Sequence, residues 1–83
     1  MRNPGPRPRI LRSVDLAEHR EAAEHRYDRY LREIDTLLAE AARARAMGRW
    51  AAAATSLQAA VATMTAAQGC AREMNLLYQL SGE

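Results

Sequence analysis

The sequence predicts an all-α fold, an antiparallel helical hairpin turning at Gly48 and completed by oligomerisation. Three observations predict it. Nowhere do apolar and polar residues alternate in the two-residue step of a half-buried strand. Residues 14–47 hold neither Gly nor Pro and place apolar side chains every three or four positions. Beyond Gly48 a second stretch repeats that spacing.

Length sets the need for partners. A chain of 83 residues is one small domain at most. Domains of that size bury little surface alone and lean on disulfides, metals or oligomerisation. The single cysteine, Cys70, forms no intrachain disulfide. A lone Cys, and a Pro- and Arg-broken amino terminus in place of an apolar leader, predict a reducing, cytoplasmic setting. Residues 50–71 carry no charge over a length that could span a bilayer. Ala, Thr, Ser, Gln and Gly dominate them, however, so transfer into lipid gains little and no membrane contact is expected.

The elements follow in order. Residues 1–12 read as an extended or disordered arm, because Pro4, Pro6 and Pro8 each lack an N–H and push their predecessors out of the α region. The arm holds Arg2, Arg7, Arg9 and Arg12 and no acid, whereas the rest of the chain is close to neutral. Residues 13–83 form the oligomerisation domain. Ser13 is the expected N-cap, with Asp15 and Glu18 at the positive end of the helix dipole. The first stripe runs Tyr27, Tyr30/Leu31, Ile34, Leu37/Leu38, Ala41, Ala44. Arg43 and Arg45 suit the negative helix end, and Gly48 stops the helix.

The second helix opens near Trp50 in "GRWAAAATSLQAAVATM" (48–64). Its stripe reads Trp50, Ala54, Leu57, Val61, Met64, and a line of small residues, Ala53, Ala60, Ala67, lies beside it. Small side chains let helix axes approach closer than the usual ~8–10 Å, so the Ala line reads as a tight contact. Trp50 is expected as a core plug closing the bend. At Gly69 the better stripe shifts to Cys70, Met74, Leu77 and Leu80, which predicts a kink or a short C-terminal helical extension.

Two helices cannot surround a core. A lone pair leaves part of its seam wet, so a dimeric four-helix bundle or a larger ring is the natural completion. The expected interface comprises Tyr27, Leu31, Ile34, Leu38, Trp50, Ala53, Leu57, Ala60, Val61 and Met64. Met74, Leu77, Tyr78 and Leu80 form a short amphipathic patch that either docks another protein or folds back to cap the hairpin.

No grouping carries chemistry. "AEHREAAEHR" (17–26) repeats its Ala-Glu-His-Arg after six residues, which turns His19 and His25 about 120° apart on a helix. A di-metal bundle needs Glu three residues before His, and that spacing is missing. Tyr27 and Tyr30 lie among arginines but on the apolar stripe, as half-buried packing with wet hydroxyls. Cys70 has no activating neighbour and reads as a small buried hydrophobe. There is no phosphate loop, nucleophile elbow or Cys/His cluster. The expectation is a non-enzyme with no cofactor, metal or small-molecule substrate. The four Arg of the arm are the candidate DNA contacts, to phosphates and without base readout.

Two resemblances attach to the turn. Gly48, Trp50, Ala53, Leu57 and Ala60 resemble the turn and second helix of one tetratricopeptide repeat, over about 14 residues. The Arg/Glu-rich first helix, the Gly-x-aromatic-Ala-rich turn at 48–54 and the short C-terminal segment resemble the oligomerisation hairpin of phage small terminase subunits. That second resemblance implies a ring-forming protein that binds DNA and hands it to a packaging motor. Residues 1–12 hold no helix-turn-helix, so what is expected from the resemblance is unspecific DNA contact through the arm. The resemblance thus implies an oligomeric assembly protein of viral or phage-derived DNA packaging. The competing expectation is an adaptor that docks a partner helix on its Ala-rich face.

Overall fold

The computed structural model describes residues 13–81. They form two helices, α1 (Ser13–Ala46) and α2 (Trp50–Leu80), packed against each other with no strand among the described residues. At ~1.5 Å rise per residue each helix is roughly 45–50 Å long. The Arg arm of residues 1–12, with the proposed phosphate contacts Arg2, Arg7, Arg9 and Arg12, lies outside the described residues.

The turn is built from backbone hydrogen bonds. The Arg49 N–H donates to the Ala44 carbonyl (2.8 Å) and the Gly48 N–H to the Arg45 carbonyl (3.0 Å). These are the two bonds of a Schellman motif, whose C′ residue must turn left-handed. Gly48 does so at φ +71°, a conformation that costs any residue with a Cβ. Arg43 and Arg45 sit in the last turn of α1. The start of α2 has no comparable device: its N-cap, Arg49, makes no side-chain capping bond, and no acid stands in the first turn. Packing against α1, rather than end chemistry, therefore has to hold α2 in place.

The seam follows a strict spacing. On α2 the buried residues are Ala53, Ala60, Thr63, Ala67, Cys70 and Leu77; on α1 they are Leu16, Ala23, Ile34, Ala41 and Ala44. Half-buried Ser56 and Met74 complete the α2 row, and Tyr27, Tyr30 and Leu37 complete that of α1. Steps of three and four that recur every seven residues are those of a coiled coil. Small residues dominate α2, so the bulk comes from the α1 side. Thr63 is tolerated in the seam because its hydroxyl donates to the Ala59 carbonyl at 3.0 Å. At the open end Leu16, Ala23 and Leu77 cluster, with Met74 packed against them.

Two expectations are corrected here. α2 runs as one helix through Gly69 to Leu80, so no separate C-terminal helix follows Gly69. Cys70, Met74 and Leu77 do not start a new stripe; they continue the row of Ala53, Ala60 and Ala67 in the same 3–4 steps. Gly69 faces away from that row, and a Cβ there would meet nothing within 4 Å. Trp50 does not plug the bend. It is 64% exposed, because the Schellman bonds close the turn and Ala44 and Ala53 occupy the seam beneath it.

Candidate interaction face

Most of the exposed large apolar residues lie on one side of the hairpin, whereas Met47 is in the turn and Leu76 and Leu80 lie on the other side of α2. Beside the buried α2 row, offset by one position, run Trp50, Leu57, Met64, Ala71 and Tyr78 at seven-residue steps. The equivalent line on α1 is Glu24, Leu31, Leu38 and Arg45. In an antiparallel pair these two lines flank the same side of the seam. A cleft of about 490 Å³ demonstrates it, being lined by Glu24, Tyr27 and Asp28 of α1 together with Ala71, Met74 and Tyr78 of α2. Ala71 leaves the hollow, and Tyr78 closes one end with its ring under the Arg20 guanidinium, 4.9 Å from the centroid.

The opposite side is charged and small-residue-rich. There the Arg26 guanidinium donates to Glu73 Oε1 at 2.7 Å, bridging the helices with both side chains part-exposed. Arg26 is held above its ordinary pKa, first by that hydrogen bond and then by the neighbouring Cys70. A raised basic group contributes fully below its unfolded pKa and loses its contribution only as pH climbs through the folded one. For an arginine that window lies far above neutrality, so the Arg26 guanidinium stays charged at working pH.

The ten residues expected at an interface divide into sets. Ile34, Ala53 and Ala60 are buried within a single chain and are not open to a second molecule. Tyr27 is half-buried. Leu31 and Leu38 (each 40% exposed), Leu57, Met64, Val61 and Trp50 remain open. All but Val61 lie on the two lines above, with Val61 at their edge. Of the C-terminal patch, Leu77 is in the core cluster and Met74 packs on it, while Tyr78 and Leu80 stay exposed. The segment therefore folds back along α1. His19 and His25 are both exposed, and Cys70 is a buried free thiol. Among the described residues no group of three His, Cys, Asp or Glu could hold a metal ion, and no helix is long and apolar enough to cross a membrane.

Sequence reasoning missed the cleft and the Arg26–Glu73 bridge. The signal for the cleft was present in the seven-residue line 50/57/64/71/78, where one Ala interrupts four large side chains. The bridge joins residues 47 apart, and no local pattern marks it.

Comparison with known proteins yields no match to a family model, to a curated protein or to a solved structure. The resemblance to a tetratricopeptide repeat ends at the turn. Such a repeat fits two helices into 34 residues, whereas α1 alone uses 34.

Proposed function

We propose that this protein is a non-enzymatic, self-associating helical hairpin with an assembly role, similar to a small terminase, that engages DNA weakly through its Arg arm. The observation that carries the reading is the imbalance of apolar residues. Ten large apolar side chains are exposed, whereas Leu16, Ile34 and Leu77 are the only large ones buried, among the described residues. Burying a Leu or Ile contributes only about 1.5–3 kcal/mol, and a seam of alanines adds little. A second layer on the exposed lines supplies what the hairpin lacks.

DNA contact rests on Arg2, Arg7, Arg9 and Arg12, clustered without an acid. Repetition of the arm in an oligomer raises avidity. Sedimentation velocity over a dilution series tests the assembly: a stable homo-oligomer at micromolar concentration is expected. A cooperatively melting monomer there overturns it. For the DNA half, replacing the four arm arginines by Ala in the full chain is expected to abolish salt-sensitive binding to duplex DNA. Unchanged binding removes that half. The adaptor reading loses its original surface, since Ala53, Ala60 and Ala67 are already covered by α1.

A further inference from the structure

The exposed face complements itself when one copy is turned end for end. We propose that two chains form an antiparallel four-helix dimer in which Leu57 and Trp50 of each face the 24/28/71/74/78 cleft of the other and Glu24 meets the partner's Arg45. This inference rests on the self-association proposed above and specifies its partner as a second copy, its face and its orientation.

Charge selects the orientation. Between Asp35 and Arg72 the chain has one acid, Glu40, against Arg43, Arg45 and Arg49, so the turn end is basic. Among the described residues the open end carries Asp15, Glu18, Glu21, Glu24, Asp28 and Glu73 against Arg20, Arg26, Arg29 and Arg72, so its helical part is net acidic. Packing with both turns at one end would stack arginines on arginines and acids on acids. Reversing one copy places each basic turn over an acidic open end, which favours that register.

Spacing then fits the side chains. The α1 line reads Glu24, Leu31, Leu38, Arg45. A two-fold axis across the helix between residues 34 and 35 sets Glu24 opposite the partner's Arg45 and Leu31 opposite the partner's Leu38. On α2 the line Trp50, Leu57, Met64, Ala71, Tyr78 is centred on Met64. The same kind of axis sets Met64 on its own copy, Leu57 against the small Ala71, and Trp50 at the level of Tyr78. Leu57 thus faces the hollow left by Ala71, and the Trp50 indole, 64% exposed, meets the Tyr78 end of the same cleft, whose lining includes Glu24 and Asp28. The contact is isologous, so it occurs twice and closes at two copies.

Glu24 and Arg45 are exposed, and 21 positions on one helix separate them by about 30 Å, so neither influences the other within a chain. The test uses E24R, R45E and the double variant in the full chain, with dimer dissociation constants from sedimentation equilibrium and helicity from circular dichroism. Each single change is expected to weaken the dimer about tenfold or more with helicity retained, and the double variant to recover it. The emission of Trp50, the only tryptophan, is expected to shift to the blue as the dimer forms. A dimer indifferent to the single changes, or not restored by the double, overturns this arrangement and leaves self-association standing. A native chain that stays monomeric overturns both.

Discussion

Ala60 and Leu57 stand three residues apart on α2 and invert the usual relation between size and burial. Ala60 is 1% exposed, whereas Leu57 is 47% exposed. Extra volume at Ala60 pushes the helices apart, so Ala60→Leu is expected to destabilise the hairpin by about 1–3 kcal/mol, read as a lowered urea midpoint. Leu57→Ala removes a side chain that the fold hardly uses. Its effect on the isolated hairpin is expected to stay within about 0.5 kcal/mol, while self-association weakens measurably by sedimentation. Of the residues expected at an interface, Leu31, Leu38, Trp50, Leu57, Val61 and Met64 are exposed on the single chain. Ile34, Ala53 and Ala60 were expected beside them on the same helical spacing but are buried within the chain, since spacing alone does not say what covers a residue.

At the scale of the element, two glycines with open space around them have opposite meanings. A Cβ at Gly48 or at Gly69 meets nothing within 4 Å, so only backbone conformation separates them. Gly48 holds φ +71° in the Schellman turn, and Gly48→Ala is expected to cost about 1–2 kcal/mol. Gly69 lies inside α2, and Gly69→Ala is expected to stabilise by about 0.5–1 kcal/mol, seen as a higher melting temperature. The first role was readable in the chain because a Gly following Arg43 and Arg45 is a stop signal. The second was misread as a break. One glycine costs a long helix too little to interrupt a row of seam contacts that continues on both sides of it.

For the whole molecule, the proposed self-association would make stability and assembly one equilibrium. If the exposed lines are covered only by a second copy, the melting temperature rises with protein concentration, and a scan over a hundredfold range checks it. In the proposed end-for-end dimer the two Ser13 residues, to which the Arg-bearing segments attach, would lie at opposite ends, roughly the length of α1 apart. Eight arginines engaging phosphates would give a slope of log K against log salt approaching about −7, and half that if one arm binds at a time. Titration with duplex DNA distinguishes the two.

The chain by itself determined two long helices, a turn at Gly48 and a surplus of apolar side chains over what a hairpin can cover. Those follow from local preferences: helix-favouring residues without interruption, an apolar period of three and four, and a glycine where the backbone must turn left-handed. Only the tertiary structure decided which of two neighbouring stripes on α2 meets α1. Hydrophobicity favoured Trp50, Leu57, Val61 and Met64, but the row of Ala53, Ala60 and Ala67 won. Small side chains let the backbones close on the bulk supplied by Leu16, Ile34 and their neighbours on α1, and that fit belongs to the pair of helices, not to either sequence alone.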